Sequence, residues 1–136
     1  MANGRLLAVT LVGLLLSCPT EGSTTTPKSR VVEIVADKDN TFKVPGQKKP
    51  VIVLQPGEVI TLRVTSLAGP EKAKDGAVHS VVIKSLRNKG WDLRLKEGTK
   101  DFVLRAPQRA GEYPIECTVK CGVGHEEMRM LLVVKP

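Results

Sequence analysis

From residue 31 to residue 136 the chain offers only short apolar stretches, each cut off by turn-forming residues, and this punctuation constrains its fold more than any other feature. The stretches are 31–36, 51–54, 59–64, 77–83, 102–104, 113–117 and 130–134, several of them rich in Val and Ile, the β-branched residues that favour pleated backbone. In 59–65, Ile60, Leu62 and Val64 alternate with Thr61, Arg63 and Thr65, the period of a strand with one buried face. Pro56-Gly57, Lys96-Glu97-Gly98 and Arg109-Ala110-Gly111 supply turns between the stretches. No segment keeps the 3.6-residue period of an amphipathic helix. With 136 residues there is room for one domain, and a chain that is 41% hydrophobic is too apolar to stay disordered. The expected fold is all-β: a Greek-key sandwich or barrel of seven to eight strands.

The N-terminus is read apart from that domain. Residues 6–16 are apolar, uncharged and preceded by Arg5, but a bilayer span needs about 20 apolar residues, so the run is an export signal. It closes in Leu15-Leu16-Ser17-Cys18, which resembles a bacterial lipobox, whose cysteine is acylated and becomes the mature N-terminus. The alternative is ordinary cleavage near Gly22, with Cys18 discarded. The expected division is a signal over 1–17, a polar tether over 18–30 and the domain over 31–136. Either cleavage places the domain in the periplasm or on the outer face of a membrane, and acylated Cys18 would be its lipid anchor.

The formal net charge is +7, and loss of residues 1–17 removes only Arg5 and leaves +6. This balance suits an acidic partner or surface. The cations are scattered, no nucleic-acid motif occurs and the chain is exported, which together exclude nucleic acid as the partner.

Reactive side chains gather near the C-terminus. Cys117-Thr-Val-Lys-Cys121-Gly-Val-Gly-His125-Glu-Glu-Met128 sets two thiols, an imidazole and a thioether within twelve residues. Such soft and borderline donors bind copper or zinc, whereas calcium and magnesium need oxygen cages. Met is not a usual zinc ligand and the spacing is not that of a structural zinc site, so the set points to copper. The chain has one other histidine, His79, and strand alternation places it with Val81 and Ile83 on the inward face of 77–83. By the same rule Cys117 shares the inner face of its strand with Tyr113 and Ile115, and Met128 leads into the last strand. Taken alone, Cys117 and Cys121 in an exported protein would be read as a disulfide; His125 and Met128 at metal-ligand spacing reverse that reading. Trp91 is read as a packing residue, and Glu126 and Glu127 as solvated loop charges.

The pattern Cys-x3-Cys-x3-His-x2-Met, with an upstream His followed by Ser and an apolar strand, resembles the binuclear copper A (CuA) domain of cytochrome c oxidase subunit II and nitrous oxide reductase. The resemblance covers residues 31–136 and implies a cupredoxin-like fold. It implies that Cys117 and Cys121 bridge two copper ions, that His79 and His125 bind one each, and that the Met128 thioether and the Val119 carbonyl are axial ligands. It further implies a one-electron carrier rather than an enzyme, working between a donor such as a c-type cytochrome and a terminal oxidase or reductase. Val119 departs from the oxidase pattern, which has there a glutamate that also contacts magnesium, and valine cannot do this. The helical hairpin that precedes the oxidase domain has no counterpart here, so a free-standing monomeric domain is expected. The second function class is copper delivery or storage by the same thiols and imidazoles.

Overall fold

The computed structural model describes Met1 and residues 29–136. The export signal, Cys18 and all of the tether before Ser29 lie outside the described residues. Among the described residues nine strands form two sheets: β1 (Arg30–Ala36), β2 (Phe42–Lys43), β3 (Val51–Leu54), β4 (Val59–Ser66), β5 (His79–Val82), β6 (Asp92–Leu95), β7 (Gly98–Arg105), β8 (Gly111–Glu116) and β9 (Arg129–Val134). One sheet has the order β2-β1-β4-β7 and the other β3-β9-β8-β5-β6. The expected all-β sandwich is what the chain forms.

Each of the seven apolar stretches contains a strand. β4 shows why most clearly: Ile60, Leu62, Val64 and Ser66 are buried while the intervening residues stay half-exposed, so one face of the strand lines the core. Ile34 and Ala36 from β1, Leu104 from β7, and Ile52, Leu54, Ile115, Leu132 and Val134 from the opposing sheet complete one continuous apolar interior. Trp91, just before β6, is wholly buried and its Nε1–H donates to the carbonyl of Arg105 in the other sheet at 2.9 Å. It is the packing residue expected, and it also ties the two layers together. The sheet begins slightly earlier than composition suggests: Arg30 opens β1, and the Ser29 hydroxyl hydrogen-bonds that of Thr61 at 2.8 Å.

Register divides the sandwich into two poles. β1 and β4 run parallel with Ala36↔Ser66 at one end and Arg30↔Ile60 at the other, and β7 returns antiparallel from Gly98↔Ser66 to Arg105↔Val59. In the second sheet β8 runs from Gly111↔Val134 to Glu116↔Arg129. The end of β8, the start of β9 and the start of β5 lie at the pole where β4 finishes. Chain entry at Ser29 and the residues after β9 lie at the other.

Candidate metal centre

Cys117 is the first residue past β8, and its backbone N–H donates to the carbonyl of Met128 at 3.2 Å, carrying the β8–β9 ladder one step beyond the strands. The residues between them loop over the end of the sheet. Gly122 and Gly124 make this loop practicable, with φ of 120° and 87°, in a region that side-chain-bearing residues rarely adopt. A Cβ on Gly122 would also stand 2.7 Å from Cγ of Pro70. The loop ends in a short 3₁₀ helix, His125–Glu127, and the N–H of Met128 donates to the carbonyl of His125 at 3.1 Å.

His79 opens β5 and is fully buried. Its Nε2 lies 2.8 Å from the carbonyl of Leu67. In the neutral ring this places the proton on Nε2 and leaves Nδ1 with a free lone pair, the arrangement usual in metal-binding histidines, which donate their other N–H to a backbone carbonyl or carboxylate. Nδ1 is buried and has no hydrogen-bond partner. A ring nitrogen of His79 and the Sγ atoms of Cys117 and Cys121 all lie within 4.8 Å of one another. The two sulfurs are 4.0 Å apart as free thiols, Nδ1 of His125 is 3.7 Å from Cys121 Sγ, and the carbonyl oxygen of Val119 is 3.3 Å from Cys117 Sγ. Both cysteines, Val119 and Met128 are buried, while His125 is half-exposed and forms the solvent side of the group.

The fold therefore brings together His79 from β5 with Cys117, Val119, Cys121 and His125 from the loop after β8, and Met128 is buried where that loop rejoins Cys117. The orphaned Nδ1 beside two thiols is the test of fit for a soft metal. A buried nitrogen acceptor without a partner is unfavourable unless something electrophilic completes it. The thiols respond to the same crowding. Burial pushes the Cys117 thiol up, but hydrogen bonds from the backbone at Ser80 and Val119 and from the imidazole of His125 favour its thiolate, and it falls to about 6. Burial, then the charge of Cys117, push Cys121 up to about 12. Two thiolates this close repel each other without a cation between them.

Residues outside the motif hold the group in place. The Ser80 hydroxyl accepts the N–H of Thr118 at 2.7 Å, hydrogen-bonds the Thr118 hydroxyl at 3.0 Å and lies 3.9 Å from Cys117 Sγ, so one side chain fixes the strand after His79 to the start of the loop. Asn40, buried with φ of 59°, donates from Nδ2 to the carbonyl of Val123 at 2.6 Å and anchors the loop from the other sheet. Sequence reasoning registers Ser80 only as the residue that follows His79 in the pattern and passes over Asn40. The only signs were a lone Ser in an apolar strand, and an Asn, the residue type most tolerant of this backbone, after Asp37-Lys38-Asp39.

Gly69 packs directly against the backbone of a thiol residue. A Cβ there would lie 2.9 Å from the carbonyl oxygen of Cys121 and 3.0 Å from Oδ1 of Asn40, so Gly69→Ala must displace backbone at a thiol position. We expect the variant to fold with a loss of about 1–3 kcal/mol, the usual cost of overpacking, and to bind copper more weakly. Thermal melting and copper titration check this; a Gly69→Ala protein with unchanged melting temperature and copper affinity would show that the contact yields without cost.

No protein-family model and no curated protein matches the sequence. Solved structures do. A chain of a heme-copper terminal oxidase dimer matches with a TM-score of 0.58 at 18% identity, covering 93% of this chain and 79% of that one. Reduced auracyanin from the photosynthetic bacterium Roseiflexus castenholzii matches at 0.51 and 17%, over 79% of this chain and 98% of that one. The periplasmic domain of subunit II of cytochrome oxidase from Bradyrhizobium japonicum matches at 0.51 and 16%, over 80% and 86%. The fold is the cupredoxin sandwich. At these identities the likeness is one of fold, and in this cupredoxin sandwich the cysteines, both histidines and Met128 fall at a single pole. No helix among the described residues is long and apolar enough to cross a membrane.

Proposed function

We propose that the protein is an exported one-electron carrier with a binuclear copper centre of the CuA type, and that it has no substrate chemistry of its own. Cys117 and Cys121 would bridge the two ions, His79 and His125 would bind one each, and Met128 and the Val119 carbonyl would be the weak axial ligands. When bound, the pair of ions supplies a reversible one-electron couple. The protein's part is to hold the donors still. His79 is fixed through Leu67, Cys117 through Ser80 and the β8–β9 ladder, and the loop through Asn40, so little need move when the charge on the site changes. The observation that carries this reading is the unpartnered Nδ1 of His79 facing two free, buried thiols. Half-exposed His125 is the natural exit for an electron, and the fully exposed Val123 next to it offers an apolar contact. The oxidase subunit II among the fold relatives supports a terminal oxidase or reductase as a redox partner, and the proposed donor is a c-type cytochrome. Acylation at Cys18 would keep the carrier on the outer face of the membrane.

Anaerobic copper reconstitution with elemental analysis and electron spin resonance tests the proposal. A carrier retains two coppers per chain with the unpaired spin shared between them. A delivery or storage protein, the second reading, holds one exchangeable Cu(I). The axial role of Met128 is checked separately: Met128→Leu is expected to keep both coppers while shifting the reduction potential, because a weak thioether tunes the site more than it holds the metal. Loss of copper from a folded Met128→Leu protein would assign Met128 a primary role instead.

A further inference from the structure

The pole opposite the thiols carries a feature that electron transfer does not use. Between the residues after β5, the start of β6 and the β7–β8 turn lies a cavity of about 440 Å³, with Leu86, Trp91 and Tyr113 at its floor and Lys89, Arg105 and Arg109 around it. All three cations are exposed and none forms an ion pair among the described residues. Lys135, which follows β9 at the same pole, is also unpaired. The acidic groups at this pole are Glu58, already held by Arg30 at 2.9 Å, Asp92, held by Arg87 at 3.5 Å, and Glu112. At the thiol pole, by contrast, Lys120 and Arg129 are interspersed with Glu126 and Glu127. No acidic residue among those described lines the cavity, so the charge of its three cations is not offset there.

Chain direction supplies the second observation. Ser29 bonds to Thr61 near the start of β4, so the tether that precedes it, with the expected lipid anchor at Cys18, joins the fold at this cationic pole. We propose that this pole is a docking surface for anionic phospholipid, with headgroup phosphates on Lys89, Arg105 and Arg109 and the glycerol and upper acyl region over half-exposed Leu86 and Tyr113, next to buried Trp91. An apolar floor ringed by unpaired cations matches a lipid, which is anionic at one end and apolar at the other. Docked this way, the domain turns His125 and the thiols away from the bilayer, toward soluble donors. The inference concerns a different surface from the metal centre and is tested without copper, so it can fail while the electron-carrier reading stands.

The test is co-sedimentation of the full copper-free chain with vesicles of phosphatidylcholine alone or containing phosphatidylglycerol, across a salt series. Wild type is expected to bind the anionic vesicles more tightly, with the advantage fading as salt rises. Lys89→Gln/Arg105→Gln/Arg109→Gln should reduce anionic-vesicle affinity on the order of a hundred-fold. A variant with equal charge loss at or near the thiol pole, Lys38→Gln/Lys74→Gln/Lys120→Gln, should bind nearly as wild type. Arg105→Lys, which keeps the charge but not the Arg105 bond to the Gly57 carbonyl, should retain binding and so separates charge from folding. Trp91, the only tryptophan, gives a local readout, and brominated acyl chains should quench it in the wild-type complex. Equal affinity for neutral vesicles, equal loss in the two triple variants, or binding without quenching overturns the proposal. So does a preference for soluble polyglutamate over anionic vesicles, which would make the pole a protein-docking face.

Discussion

Replacing either Cys117 or Cys121 with serine is expected to abolish the binuclear centre and leave at most one copper per chain. The expectation follows from how few donors are available. A site for two ions built from His79, Cys117, Cys121 and His125 has no spare ligand, so the thiolates must be shared, and a hydroxyl is too weak and too basic a donor to replace either one. The two variants should differ in what remains. Cys117→Ser removes the thiol whose ionised form the site favours, the one with the Val119 carbonyl at 3.3 Å. Cys121→Ser keeps that thiol beside His79 and leaves Cys117, His79 and His125 close together, which approaches the two-imidazole, one-thiolate set of a mononuclear blue-copper site. We therefore expect Cys121→Ser to bind one copper with a single-metal hyperfine pattern and an intense thiolate charge-transfer band, and Cys117→Ser to bind copper much more weakly. Elemental analysis, electron spin resonance and the visible spectrum check this. Two coppers retained by either variant would show that the thiols are not shared.

The strands that the sequence makes legible are those with one face in the core. β4 announces itself through alternation, and β1, β3, β8 and β9 through short apolar runs between turns. The parts that escaped are sheet edges. β2 is an edge strand of two residues, and β6 is the outer strand of the five-stranded sheet, where Leu93 and Leu95 alternate with charged Asp92 and Arg94 over too few residues to register as a period. β7 is an edge as well. Its first half, Gly98–Asp101, is exposed throughout, and it is held by pairing with β4, including an Arg63–Asp101 ion pair at 2.8 Å, rather than by apolar burial. Hydrophobic pattern records what a strand buries, so a strand that buries little leaves little trace.

The candidate site divides along a similar line. Cys117, Cys121, His125 and Met128 share one loop, and fixed spacing makes such a group visible in one dimension. His79 could be added because it is the only other histidine and falls on a strand. What no spacing reveals is the support from distant segments. Asn40 reaches Val123 across 83 positions, Leu67 offers its carbonyl to His79, and Gly69 leaves room for the carbonyl of Cys121. A backbone carbonyl has no residue identity, and a glycine needed for close approach looks like any turn glycine. These contacts exist only once β1, β4 and the loop after β8 meet at one pole.

The largest loss of stability is expected at Trp91, far in sequence from the thiols. Its indole is wholly buried, and its N–H reaches the Arg105 carbonyl in the opposite sheet, while its own backbone N–H and carbonyl bond to Leu86 and Ile83. Truncation to alanine empties the largest buried side-chain volume in the sandwich and cuts the hydrogen bond between the layers. Changes of this kind cost about 3–5 kcal/mol, against a total of about 5–15 kcal/mol for a domain of this size. At roughly 4–8 °C per kcal/mol, the copper-free melting temperature of Trp91→Ala should fall by about 12 °C or more. Trp91→Phe, which keeps most of the volume and loses the N–H, should fall by less than half as much. Trp91 contributes no donor atom to the metal cluster, so copper should raise the melting temperature of wild type and Trp91→Phe by similar increments, since ligand binding to the folded state and a distant packing defect add independently. A markedly smaller increment in Trp91→Phe would mean that the indole shapes the metal centre as well as joining the sheets. An unchanged melting temperature in Trp91→Ala would mean that the two layers hold together without it.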